Sequence, residues 1–225
     1  MKKTLLTLII IGILSFLVYW VTEMYQFAYG VQKDTQKTAQ HTRNGNLQSG
    51  DIIFQTSTSN QSKAIQLATN STYSHMGIIY EMDGDYFVYE AIQPVTVTPL
   101  QEWIDRGKNG HYVIKRLANA NQVLTSSMLS KMKKIGEKYQ GKSYDIYFEW
   151  SDDKIYCSEL VWKIYKEATN IEIGQLEKLS DFDLSHKIVQ SKMQERYGSN
   201  IPINEKVISP AAMFASDQLI LVMEK

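Results

Sequence analysis

Ser74-His75-Met76-Gly77-Ile78-Ile79-Tyr80-Glu81-Met82-Asp83-Gly84-Asp85-Tyr86-Phe87-Val88-Tyr89-Glu90-Ala91 is the stretch on which the reading of this chain turns. Two runs rich in β-branched and aromatic residues flank Asp83-Gly84, the dipeptide suited to a two-residue hairpin loop. With that loop, Met82 faces Asp85, and counting back along both strands sets Gly77 opposite Glu90. Side chains alternate with period two, so His75 shares a face with Gly77 and lies diagonal to Glu90. Diagonal Cβ atoms sit about 7–8 Å apart or somewhat less, a gap that an imidazole and a glutamate can close with a hydrogen bond. Gly77 leaves the space between them open. A three-residue loop would instead throw the two groups onto opposite faces, so the pairing depends on register.

The single cysteine lies in Ile155-Tyr156-Cys157-Ser158-Glu159-Leu160-Val161-Trp162. Leu160, Val161, Ile164, Tyr165 and Ala168 recur at helical spacing, which predicts an amphipathic helix from about Ser158 to Thr169, buried along one face. Cys157 then stands at or just before a helix N-terminus, where free N–H groups and the macrodipole favour an anion and activate a thiol. Taken singly, each residue has a plainer reading. A lone cysteine is often inert and packed, a histidine at a strand start is partly exposed, and Glu90 is a solvated hairpin residue. Together they are the nucleophile, base and orienting acid of a Cys-His-acid site. His75 would take the thiol proton and return it to a leaving group, while Glu90 fixes the tautomer. The backbone N–H of Cys157 and a neighbouring donor would stabilise the oxyanion. His41, His111 and His186 read as surface positions, and Glu159 as a first-turn residue favoured by the helix dipole. Asp152-Asp153 reads as a solvated loop and only distantly as a metal ligand, since no other ligands cluster near it. Neither a metal nor a cofactor is expected.

Twenty-four basic residues balance 24 acidic ones in a chain of 225, so no global field draws nucleic acid. The 44% hydrophobic content supports one globular core. Met1-Lys2-Lys3 precedes an uncharged run of 18 residues, Thr4 to Val21, ending in an interfacial Tyr19-Trp20. Residues 1–22 therefore read as a membrane anchor or export signal, with contact to the bilayer through residues 4–21. No small-x-small cleavage site follows, which favours an uncleaved anchor over a cleaved, secreted form. Lys2 and Lys3 stay inside by the positive-inside rule, which puts the body of the protein outside the cytoplasm, periplasmic or at the cell surface. Residues 23–46 form a polar tether and residues 47–225 the folded domain.

Within that domain Ser49-Gly50-Asp51 is a turn and Ile52-Ile53-Phe54 a strand, followed by helical character from Ser62 to Thr69. Thr98-Pro99-Leu100-Gln101 has the form of a capping box with proline at the first helical position. His111–Leu117 alternates as a strand. Met128 to Tyr139 marks a helix closed by Gly141, and Tyr144–Phe148 is extended. Leu176 to Tyr197 is polar and helical in part, Ser209-Pro210 opens a helical turn, and Leu219–Met223 is a terminal strand. The pattern is α+β.

Taken in order, Gly50-Asp51-Ile52-Ile53-Phe54, Ser74-His75-Met76-Gly77-Ile78, Tyr89-Glu90-Ala91, Tyr144-Asp145, Tyr156-Cys157-Ser158-Glu159-Leu160-Val161 and Ser209-Pro210 resemble the YiiX/YaeF-like branch of the NlpC-type cysteine hydrolases. The resemblance runs from about Leu47 to the C-terminus. It implies a circularly permuted papain-like fold, an antiparallel sheet or half-barrel packed with helices, with the histidine ahead of the cysteine in the chain. It also implies nucleophile Cys157, base His75 and orienting Glu90, with Tyr144 and Tyr156 as oxyanion or substrate contacts. The expected activity is hydrolysis of an amide in a cell-wall stem peptide or other short peptide through an acyl-enzyme. Kinship with lecithin retinol acyltransferase-like enzymes adds an acyl-lipid hydrolase or acyltransferase as an alternative, and a peptide-binding module on the same scaffold is a third. Residues 170–205 are insertion-like and are expected to restrict or redirect the substrate.

Overall fold

The computed structural model describes Ser15 and residues 18–26, 28–30 and 47–225. The chain forms two units, residues 1–45 and 46–225. In the first, residues 18–26 and 28–30 are helical, with Tyr19, Trp20 and Met24 exposed. Most of the segment expected to meet a membrane, residues 4–21, lies outside the described residues, as does His41. Among the described residues no helix is long and apolar enough to cross a membrane.

The second unit is built on a six-stranded antiparallel sheet. Its strands are β1 (Ile52–Ser57), β2 (His75–Met82), β3 (Asp85–Glu90), β4 (Thr96–Pro99), β5 (Gly107–Leu117) and β8 (Leu219–Glu224), in the spatial order β4-β3-β2-β1-β5-β8. Two further strands, β6 (Glu177–Lys178) and β7 (Lys206–Val207), pair separately. The helices are α1 (Ser62–Thr69), α2 (Leu100–Asp105), α3 (Ala120–Val123), α4 (Ser126–Glu137), α5 (Cys157–Thr169), α6 (Lys187–Tyr197) and α7 (Pro210–Phe214).

The β2–β3 hairpin closes at Asp83-Gly84 with both residues at positive φ, 54° and 81°, as a type I′ turn requires. Met82 pairs with Asp85 and Ile78 with Tyr89, the register the two-residue loop predicts. Gly77 is therefore opposite Glu90, although the space is not open. A Cβ on Gly77 would lie 2.4 Å from Val88 Cγ1 and 2.7 Å from the Tyr89 carbonyl oxygen, so glycine here permits close approach of the two strands.

Both faces of the sheet are covered. Ile52, Phe54, Met76 and Ile78 pack with Met132 and Ile135 of α4 and with Leu160, Val161 and Ile164 of α5. The alternate positions Ile53, Ile79, Val88 and Ile114 pack with Leu100 and Trp103 of α2. Burial of such side chains stabilises by roughly 1.5–3 kcal/mol each. The expectation of a one-sided α5 is corrected, because every residue from Cys157 to Tyr165 is buried. The helix runs between the sheet, α4 and α7, so Glu159 and Lys163 are enclosed as well, as an ion pair of 2.8 Å. Asn170 ends α5 in the left-handed conformation.

The capping box at Thr98 is also corrected. Pro99 is the N-cap of α2 with no side-chain cap, and Thr98 belongs to β4, where its hydroxyl has another use. Ser209 does cap α7, accepting from the Ala212 N–H at 3.0 Å. Asp152 and Asp153 are exposed loop residues, as expected, although Lys163 Nζ reaches Asp152 Oδ1 at 2.7 Å and the Ser151 carbonyl at 2.6 Å. Asp51, fully buried behind its turn, accepts from Arg116 through both carboxylate oxygens, at 2.6 and 2.8 Å.

Candidate active site

Cys157 is the first residue of α5, a free thiol 3% exposed. Its neighbours hold it there. Tyr156 accepts from the Ile208 N–H at 3.1 Å through its hydroxyl, and Ser158 donates to the Ile208 carbonyl at 2.8 Å. The two residues flanking the sulfur thus hold the backbone N–H and C=O of one residue, Ile208, in the segment leading into α7. That leaves the Tyr156 hydroxyl engaged with the backbone, while its ring meets Phe148 edge-on with centroids 5.2 Å apart.

His75, at the start of β2 and so at the rim of the sheet, places Nε2 2.6 Å from Glu90 Oε2. Nδ1 is then the nitrogen left for Cys157, which is both a hydrogen-bonding and an electrostatic partner of the ring. Trp103 stacks on the imidazole at 5.7 Å and 23°. Burial works against the charged ring, but hydrogen bonds to Cys157 and Glu90, and their charges, raise its pKa to about 9. Glu90 is completely buried. Its Oε1 accepts from Thr98 Oγ1 at 2.6 Å and from Arg106 Nη2. Burial pushes the Glu90 carboxyl up, but its bond to His75, the imidazolium charge, Thr98 and Arg106 together hold it below the usual range.

Tyr144 forms a single parallel bridge to Ile155, which brings it beside Cys157; the extended run to Phe148 expected after it is not a strand. Gln93 Oε1 accepts its N–H at 2.7 Å, and its hydroxyl accepts from Gln61 Nε2 at 2.9 Å. Burial and the charge of Cys157 keep that phenol protonated well above its ordinary pKa.

Two recesses meet at the site, and Cys157 lines the first of them. One is an apolar pocket of about 730 Å³ lined by Ala64, Ile65 and Ala68 of α1, by Val189 and Met193 of α6, and by Phe182 among others. The other is a wider, polar groove of about 1450 Å³ that includes Ser57, Asn60, His75, Gln93 and Arg106. Gln61, Tyr144, Lys192 and Arg196 border both. The structure therefore brings Cys157, His75, Glu90 and Tyr144 together and sets Tyr156 beneath them. From the sequence Thr98 reads only as a helix cap, and Arg106, Trp103, Gln61 and Arg196 are not assigned to the site, since they reach it from α2, the start of α1 and the end of α6, far from the motifs that mark it. Elsewhere, burial raises Glu159 to about 8 despite Lys163, away from the sulfur's hydrogen bonds. His111 and His186 are half-exposed surface residues. Among the described residues no group of three His, Cys, Asp or Glu side chains is placed to hold a metal ion.

An antiparallel sheet with a cysteine heading a buried helix and a histidine from an earlier strand defines a papain-like cysteine hydrolase in permuted order. Residues 46–223 match the model of the permuted papain-like amidase family YaeF/YiiX, C92, and the chain belongs to that family of cysteine amidases and peptidases. It is 47% identical over 178 residues to the uncharacterized protein YiiX of Escherichia coli strain K12, covering 79% of this chain and 87% of that protein. A crystal structure described as metalloprotein yiiX from Escherichia coli O157:H7 superposes with a TM-score of 0.76 at 47% identity, over 80% of this chain and 98% of that one.

Proposed function

We propose that the protein is a thiol amidase in which Cys157 is the nucleophile, His75 the acid and base and Glu90 the orienting carboxylate, acting on a short peptide such as a cell-wall stem peptide. The observation that carries this reading is the buried imidazole held between Glu90 and Cys157. The sulfur adds to the amide carbonyl carbon, and the backbone N–H of Cys157 and the Tyr144 hydroxyl receive the oxyanion. As the C–N bond breaks, His75, which holds its proton to about pH 9, gives it to the leaving amine. Water then adds to the thioester, His75 takes its proton, and the acid and free thiol are released. In the test, iodoacetamide alkylates Cys157 faster than it does the denatured protein at neutral pH, and Cys157→Ala and His75→Ala abolish release of amine from peptidoglycan fragments, followed by mass spectrometry. Turnover surviving Cys157→Ala would end the reading.

A second reading, an acyl-lipid hydrolase or acyltransferase, is favoured by the apolar lining of the pocket beside the sulfur. Phospholipid vesicles assayed alongside the peptide fragments separate the two. The chemistry is proposed to take place outside the cytoplasm with residues 4–21 as the membrane anchor, a cleaved and secreted form being the other outcome. Protease accessibility in intact cells, together with carbonate extraction of membranes, tests both. The related structure is described as a metalloprotein, but the described donors of this chain do not fit a metal. His75 and Glu90 are saturated by each other, Thr98, Arg106 and Cys157, and no step runs through an ion.

A further inference from the structure

Arg196 carries only donors, and its Nη2 donates to Gln61 Oε1 at 2.7 Å. Its guanidinium also lies over the Phe148 ring, 5.1 Å from the centroid. An acceptor must therefore face Arg196, which fixes the orientation of the Gln61 amide. The other end, Nε2, is turned to Tyr144 and donates to its hydroxyl oxygen at 2.9 Å. A phenol has one proton. With its oxygen accepting from Gln61, the Tyr144 hydroxyl is left to donate elsewhere, and it lies beside Cys157, with which it lines the same pocket and which the Tyr144–Ile155 bridge brings near. The three side chains come from the start of α1, the end of α6 and the loop before α5, so this alignment exists only in the folded domain.

We propose that Gln61 and Arg196 are positioning residues, which hold the Tyr144 hydroxyl with its proton aimed at the sulfur of Cys157 and at the oxyanion formed when that sulfur attacks. This rests on the reading of Cys157 as nucleophile. It gives residues 187–197 a role in the chemistry as well as in the pocket wall. Reversing the amide end that faces the phenol reverses the direction of the bond. In Gln61→Glu a carboxylate pairs with Arg196 and accepts from Tyr144, withdrawing the proton from the sulfur.

The test needs no substrate. Iodoacetamide alkylation of Cys157 in the full chain is followed from pH 5 to pH 10 for the wild type, Tyr144→Phe, Gln61→Glu, the double variant and His75→Ala, with thermal melts to confirm folding. Tyr144→Phe and Gln61→Glu are each expected to slow alkylation at pH 6 by about tenfold, the scale of one hydrogen bond to a charged group. The double variant is expected to be no slower than Tyr144→Phe alone, because both changes remove the same bond. Arg196→Met, which frees the amide to turn, should shift the profile in the same direction by less. If the Gln61→Glu effect adds in full to that of Tyr144→Phe, the new charge is acting directly on the sulfur and the positioning role is overturned; an unchanged profile in Gln61→Glu overturns it equally. A His75→Ala profile identical to wild type would instead remove the underlying pairing of His75 with Cys157, a failure separate from either of these.

Discussion

Replacing Glu90 by Gln keeps the shape of a fully buried side chain and removes its charge. In the wild type the imidazole stays protonated to about pH 9, against an ordinary value near 6.5. That difference corresponds to a few kcal/mol, at ~1.36 kcal/mol per pH unit. It is what remains after burial has worked against the charge, and Cys157 and Glu90 supply it jointly. Losing the carboxylate should lower the His75 titration by at least about one pH unit. It also disturbs the tautomer, since a glutamine amide turned towards Nε2 donates to it and moves the ring proton to the side facing the sulfur. The hydrogen bonds from Thr98 and Arg106 stabilise the amide oxygen less than a carboxylate. The sign for stability follows from the raised pKa. The contribution of the His75 pairing is complete below about pH 6.5 and is lost as pH rises through about 9, so in Glu90→Gln it is smaller and its loss is complete at lower pH. The expected outcome is a fall of about 10²–10⁴-fold in the rate of amide cleavage, the range for a misaligned acid–base group. The alkaline limb of the Cys157 alkylation profile should move down with it. A Glu90→Gln protein with wild-type rates and an unshifted alkaline limb would refute the reasoning, because the charge would then contribute nothing to holding the imidazolium.

Gly77→Ala sets a methyl group 2.4 Å from Val88 Cγ1 and 2.7 Å from the Tyr89 carbonyl; with backbone on one side the strands must part, costing about 1–3 kcal/mol. A chemical denaturation midpoint equal to wild type would show that the hairpin absorbs the methyl without separating. Glu159→Gln is predicted to raise stability most above pH 8. The wild-type carboxyl is pushed up to about 8 by burial, so its ionisation in the unfolded chain alone, from about pH 4.5 upward, lowers stability as pH rises. Thermal melts at pH 5 and pH 9 measure this, and an equal difference between variant and wild type at both would contradict it.

The hairpin was legible because its information is local. Asp83-Gly84 names the turn, the turn fixes the register, and the register brings His75 to Glu90 without any knowledge of the rest of the fold. The start and end of α5 were legible for the same reason, through the Leu160–Ala168 spacing. The surroundings of the carboxylate were not. Thr98 looks like a helix cap because Thr-Pro-x-Gln is a capping pattern, but the chain stays extended through Pro99 to pair β4 with β3, and the hydroxyl turns to Glu90 instead. Arg106 looks like the polar end of a short helix, and only the packing of α2 against the sheet carries it to a buried acid. Glu159 and Lys163 look like an exposed i,i+4 pair, and nothing nearby in sequence announces that a loop covers them.

The segment from 170 to 205 shows why a pocket is harder to read than a triad. In α6, Lys-Ile-Val-Gln-Ser-Lys-Met-Gln-Glu-Arg-Tyr, the only buried residues are Val189 and Met193, one turn apart. The apolar stripe is thus too narrow to signal an amphipathic helix. Those two side chains meet Leu179 in a small separate core, against which Leu67 and Ala68 of α1 pack. Each contributing stretch is weakly apolar by itself, and the wall exists only where they converge. The neighbouring groove, bordered by His75, Arg106 and Gln93, is much more polar than this pocket. If Cys157 is the nucleophile proposed above, an apolar pocket that includes it and a more polar groove meeting that pocket at Gln61 and Tyr144 would separate the two halves of a substrate by solvation, since burying an unpaired polar group costs roughly 1–3 kcal/mol. On that reading, a carbonyl compound with one greasy and one polar arm is expected to be oriented before the sulfur attacks. On the proposed reading, the arm expected to leave with the proton from His75 is the one in the second groove, which the imidazole borders.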